Sequence, residues 1–137
     1  MVALMISSFY HIPPKLNVLK NNEHLEQCLL VQWFRLEYAQ YSKCLWAIPN
    51  GGARHITTAM RLKREGALAG VSDLFLMIPN KDKHGLFIEM KSAKGAKIQQ
   101  NQLDFISLAK SMNYDAEVCF GFEEAREKIK NYLKNLK

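Results

Sequence analysis

The chain has 137 residues, 48% hydrophobic and 23% charged. That is enough for one core in one domain of about 150 residues, and it excludes a mainly disordered chain, a collagen and a disulfide-stapled miniprotein. Nineteen Lys and Arg against thirteen Asp and Glu leave a net charge of +6, which favours polyanions such as nucleic acid but is equally the charge of a merely soluble basic protein.

Residues 1–21 read as a weakly patterned lead-in broken by Pro13-Pro14, a loop or a packed arm. Its opening MVALMISSFY is short, with no basic residue before the apolar stretch, and makes a poor secretory leader. No apolar run in the chain reaches the roughly 20 residues of a membrane span. Asn21-Asn22 can cap a helix running to about Ser42. Leu25, Leu29, Trp33 and Leu36 form its stripe, and Leu30, Val31 and Phe34 add a neighbouring apolar face. Lys43–Ile48 reads as a short strand stopped by Pro49-Asn50-Gly51-Gly52. Arg54–Glu65 looks like a basic helix ending at Gly66. Strands are expected over Ser72–Ile78 and Leu86–Lys91, joined by a polar turn at 79–85. Both are apolar on both faces, as in a sheet interior. A basic loop, Ser92–Lys97, leads to a helix over Gln99–Met112 with Leu103, Ile106 and Leu108 or Ala109 inward. Ala116–Phe120 is a strand closed by Gly121. Glu123–Leu136 is a final helix with Ala125, Ile129, Tyr132 and Leu133 or Leu136 on its stripe, and the C-terminal lysines from 128 onward coat its exposed side. The order αβ(α)ββαβα implies an α/β fold, one mixed central β-sheet flanked by helices, with no internal repeat or linker.

Cys28, Cys44 and Cys119 are odd in number and include no C-x-x-C pair, which argues against a zinc knuckle. They read as reduced thiols of a cytosolic protein, each a small core residue. No Walker A loop, G-x-S-x-G or H-E-x-x-H occurs. His24-Leu25-Glu26 matches the H-x-E of nucleobase deaminases without the P-C-x-x-C that must accompany it. His11, His55 and His84 show no ligand spacing.

The chemistry gathers on the two interior strands. If Ile78 sits opposite Leu86, Asp73 faces Lys91 and Phe75 faces Glu89. Glu89 and Lys91 then share a face by the period-two alternation of a strand. Two carboxylates and a lysine suit phosphodiester hydrolysis, with hard oxygen ligands selecting Mg²⁺ or Mn²⁺. Glu89-Met90-Lys91 is the one [DE]-x-K in the chain, a spacing that chance alone supplies about once. Its place at the end of an apolar strand raises its weight, because charge in a sheet interior is costly unless paired or bound to metal. Two readings stand on residue physics: a metal site, or a structural Asp73–Lys91 ion pair. Arg54, Arg61, Lys63 and Arg64 precede Asp73, and Lys94 and Lys97 follow Lys91 in a glycine-containing loop. These six are candidates for phosphate contacts that set position without reading sequence, or they coat a solvated face.

Several stretches together resemble one family. They are Asn50-Gly51-Gly52, Arg61–Gly66, Ala69-Gly70-Val71-Ser72-Asp73-Leu74-Phe75 and Gly85–Lys91, then Gly95, Gln102, Phe105 and the tail from Tyr114 to Leu133. Over residues 22–136 the chain is similar to the VRR-NUC (virus-type replication-repair) nucleases of the PD-(D/E)XK superfamily. The resemblance implies a restriction-endonuclease-like core over residues 22–137 behind a lead-in arm at 1–21. It implies a cytoplasmic, Mg²⁺-dependent endonuclease acting on branched DNA, a homodimer of the Holliday-junction-resolvase kind, with no membrane and no nucleotide cofactor. Flap, nick or end cleavage, and a non-catalytic DNA-binding module, are the alternatives. By the same resemblance Asp73 and Glu89 are the metal acids, the Met90 carbonyl is a further ligand, Lys91 is the superfamily lysine, and Gln102 holds a water or a phosphate oxygen. A first-helix acid is implied as well. Glu23, four residues before Gln27, is preferred to Glu26.

Overall fold

The computed structural model describes residues 23–49 and 55–136. The lead-in at 1–21, the stop at Asn50-Gly51-Gly52 and the candidate Arg54 lie outside the described residues. In chain order the elements are α1 (Glu23–Glu37), a 3-10 turn (Ala39–Tyr41), β1 (Leu45–Ala47), α2 (Ile56–Arg64), β2 (Leu74–Leu76), β3 (Leu86–Lys91), α3 (Gln100–Ser111), β4 (Asp115–Phe120) and α4 (Phe122–Leu133). This is the expected α/β order. Among the described residues no helix is long and apolar enough to cross a membrane.

The sheet runs β1-β2-β3-β4. The first two pairings are antiparallel and β3–β4 is parallel, so α3 is the crossover a parallel pair requires. Alternation along the strands sorts the side chains into two faces. Leu45, Leu74, Leu76, Leu86, Ile88 and Met90 point to one face and are closed over by Leu30 and Phe34 of α1 and by Ala125, Ile129, Tyr132 and Leu133 of α4. Each fully buried Leu, Ile, Phe or Met side chain among these contributes about 1.5–3 kcal/mol of transfer free energy. Phe87, Ala116 and Val118 point the other way and pack under Phe105, Ile106 and Ala109 of α3. α3 rests on β3 and β4, and the β1–β2 half of this face keeps Trp46 and Met77 exposed.

Several expectations shift. α1 centres its buried stripe on Leu30 and Phe34, while Leu36 is 58% exposed. The helix is apolar around much of its girth, so spacing leaves its phase open. Leu103 and Leu108 face solvent and Ile106 and Ala109 face the sheet, packed with Phe105. Lys128 does not coat a free surface. It bridges Asp115 (2.9 Å) and Glu117 (2.7 Å) on the edge strand β4.

The hairpin register also differs. Leu76 pairs with Leu86 and Leu74 with Ile88, two residues from the alignment that sets Ile78 against Leu86. The Tyr132 hydroxyl donates to the Ile78 carbonyl at 2.7 Å. Asn80 Oδ1 accepts the N–H groups of Asp82 and Lys83, an Asx-type turn. These contacts pull residues 77–80 off β3 onto the end of α4 and lengthen the connection. A slip of two keeps every side chain on its face, where a slip of one would have exchanged the faces.

Candidate functional site

The site lies at one end of the α3-covered face. Gly70 adopts φ +93°, and a Cβ there would stand 2.5 Å from the Asn101 carbonyl oxygen. The loop before β2 is therefore pressed onto the first turn of α3, an approach only glycine permits. Three residues later Asp73 precedes β2. One step beyond the Leu74–Ile88 pair it comes beside Glu89, not Lys91. Its Oδ2 accepts the Met90 N–H at 2.8 Å. The Met90 side chain turns into the core.

Glu89 and Lys91 are 3% and 8% exposed. Lys91 Nζ stands 3.5 Å from Glu89 Oε1. The lysine's ion pair is thus with Glu89, and the alternative of an Asp73–Lys91 pair is not what the described residues form. Gln102 Nε2 donates to the same Glu89 oxygen, while Gln102 Oε1 accepts the Gln99 N–H at 2.9 Å. A residue expected to meet water or phosphate thus ties an acid of the site to the start of α3.

The electrostatics follow from burial. Desolvation lifts the Glu89 carboxyl to about 7; the Asp73 charge adds to this, Lys91 opposes it, and Glu23 raises it further. The Asp73 carboxyl is also raised, by burial first, against the pull of the Met90 N–H and Lys91. Two acids are lifted because one ammonium does not offset two desolvated carboxylates. A small divalent cation would relieve that surplus. Among the described residues no group of three or more His, Cys, Asp and Glu side chains is placed to hold a metal. The donor set is two carboxylates, which suits Mg²⁺, an ion that keeps most of its waters and takes one or two protein acids.

The two first-helix acids separate. Glu23 is exposed on the first turn of α1, and its charge reaches Glu89. Glu26 Oε2 accepts the Ala93 N–H at 3.2 Å, tethering the loop that leaves β3. That tether crosses 67 residues, and nothing in local spacing announces it.

The described basic candidates are not paired with this cluster. α2 buries none of its residues. Arg61 is paired with Glu65 at 2.8 Å, and Lys63, Arg64, Lys94 and Lys97 are exposed. None of these has a hydrogen bond or ion pair to the acids among the described residues. His55 caps α2, its Nδ1 accepting the Thr57 N–H. All three cysteines are free. Burial pushes the Cys119 thiol up to about 12, so it is an inert core residue.

Comparison with known proteins agrees with this fold. A solved structure described as a VRR_NUC domain protein superposes with a TM-score of 0.75 at 24% identity, over 84% of this chain and 90% of that one. No curated protein matches the chain. The VRR-NUC domain family matches residues 15–123, and with most of its length inside that match the chain belongs to the VRR-NUC family of PD-(D/E)XK nucleases.

Proposed function

We propose that the protein is a Mg²⁺-dependent, structure-selective DNA endonuclease that hydrolyses phosphodiester bonds as a Holliday-junction-resolvase-like homodimer. The observation that carries the reading is the convergence of Asp73, Glu89 and Lys91 at one end of a sheet face, with Glu89 gripped by both Lys91 and Gln102. Asp73, Glu89 and the Met90 carbonyl would hold the ion, and Mn²⁺ substitutes for it. Bound there, it would polarise the phosphoryl oxygen and make water a stronger acid. Lys91 offers its ammonium to the attacking oxygen and to the charge that grows on the phosphate. Gln102 fixes the Glu89 carboxylate, so little reorganisation remains for the reaction itself. Glu23, on the rim, supplies a further acceptor for a water. Arg54, Arg61, Lys63, Arg64, Lys94 and Lys97 contact DNA phosphates, and binding weakens steeply with salt. Homodimerisation follows from the substrate, because symmetric cuts in two strands need two sites related by a two-fold axis.

The test is cleavage of labelled four-way junction, flap and linear duplex DNA in Mg²⁺, with Asp73→Asn as the inactive control. Paired symmetric cuts confined to the junction are expected. Cuts confined to flaps or ends would keep the nuclease and remove the resolvase role. Binding without any cleavage in Mg²⁺ or Mn²⁺ would leave a DNA-binding module.

A further inference from the structure

A row of rings that the proposed hydrolysis does not use crosses the site face, from Phe87 beneath α3 to Trp46 on the uncovered half. Trp46 on β1, Phe75 on β2 and Phe87 on β3 are cross-strand partners. Trp46 meets Phe75 edge-on, with centroids 5.4 Å apart at 78°. Phe75 lies 4.6 Å from Phe87 and 6.0 Å from Tyr114. A Cβ on Gly85 would stand 2.8 Å from Phe75 Cε2, so the missing side chain leaves space that the ring fills. Phe75 is therefore braced from three sides. The row ends at the sheet edge with Trp46, which is 44% exposed.

Position and charge say what this platform meets. Phe75 is two residues from Asp73 and Phe87 two from Glu89, all on one face. At a strand rise of about 3.4 Å per residue Phe75 and Phe87 stand roughly 7 Å from the acids, and Trp46 lies one strand spacing of about 4.8 Å beyond Phe75, within the reach of one or two nucleotides along an extended single strand. The row itself carries no carboxylate. Lys43 is exposed at its far end, beyond the Cys44 carbonyl that accepts the Met77 N–H, and the whole chain is cationic. A paired base shows its π-face only to its neighbours in the stack, whereas an unpaired base can offer it to a protein ring. A second copy adding along β1 is the competing occupant, but β1 is three residues long, too short a ladder to hold one by backbone pairing.

We infer that Trp46, braced by Phe75, forms a stacking subsite for an unpaired nucleobase next to the phosphate held at Asp73, Glu89 and Lys91. The inference rests on the nuclease reading for that phosphate.

The test reads binding without cleavage, in Ca²⁺, for wild-type protein, Trp46→Ala and Trp46→Phe. Three probes are used: a duplex with a five-nucleotide single-stranded flap, the same flap made abasic, and the fully paired duplex. Trp46→Ala is expected to weaken binding of the base-bearing flap about tenfold, within the range of one base–aromatic stack. The abasic flap and the paired duplex change less than twofold, and Trp46→Phe restores most of the loss. Equal loss on all three probes, no loss on any, or no wild-type preference for the flap with bases over its abasic form would each overturn the subsite. So would a fall in sedimenting mass of Trp46→Ala with flap binding unchanged, which would give the face to a second copy. Absence of cleavage in the substrate panel defeats the nuclease reading and leaves these binding results standing.

Discussion

The two faces of the sheet are made by the same strands and obey opposite rules. On one, Leu74, Leu76, Leu86 and Ile88 are wholly buried beneath two helices. On the other, alternate residues at those strands are Asp73, Phe75, Phe87 and Glu89, and a single helix, α3, packs over β3 and β4. Burial on the first face stabilises the fold. On the second, burial of charge without a full set of partners costs stability and prepares chemistry. A strand of six residues, β3, contributes to both.

This division predicts that mutations on the site face change activity and those on the closed face change stability. The largest effect is expected from Lys91→Ala. Cleavage should fall by about 10³-fold, roughly 4 kcal/mol in the transition state, while DNA binding stays within a few-fold. An unchanged single-turnover rate would remove Lys91 from the chemistry. Ile129→Ala, on the closed face, should cost about 2–5 kcal/mol in urea denaturation and leave the rate constant of the folded protein unaltered. A large loss of rate at full folding would show that the two faces are not separable.

The pH dependence of stability comes next. Glu89 titrates at about 7 in the folded chain against an ordinary 4.5, and Asp73 is shifted in the same direction. Between those values the folded state holds a proton that the unfolded state has released. Stability of the metal-free protein is therefore greatest at the acidic end of that interval and falls as pH rises toward 7, by up to about 3 kcal/mol. Glu89→Gln should flatten the slope. Stability that rises over the same interval would contradict the desolvated acid pair. The smallest effect separates the first-helix acids. Glu23→Gln should lower cleavage several-fold with no change in melting. Glu26→Gln weakens the tether to Ala93 and should cost up to about 1 kcal/mol of stability with less effect on rate. The reverse pattern would exchange their roles.

What the sequence could disclose follows from periodicity. A strand's two-residue period assigns faces but not register, so Asp73, Glu89 and Lys91 could be placed on one face although their alignment was off by two. The bounds of β3 were legible because Gly85 and the basic, glycine-containing loop after Lys91 bracket a largely apolar segment. The phase of α1 was not, since Leu25, Leu29, Trp33 and Leu36 compete with Leu30 and Phe34 for the same sheet. Contacts between polar groups far apart in the chain, Glu26 with Ala93 and Tyr132 with Ile78, leave no periodic trace at all. The duty of Gln102 was half visible: the family resemblance marked it, but its partner proved to be Glu89.

That glutamine also limits which substitutions the protein can accept. Its oxygen receives a backbone N–H and its nitrogen donates to a carboxylate, so the amide cannot be turned over without breaking both bonds. Glutamate would keep the first contact and set two anions against each other. Lysine would keep the second and lose the acceptor, methionine would lose both, and asparagine falls one methylene short. No other standard side chain of this length presents a donor and an acceptor on one planar group. Position 102 is accordingly a bottleneck for sequence drift, where a neutral path from glutamine to any other residue requires the helix start and the acid to change together.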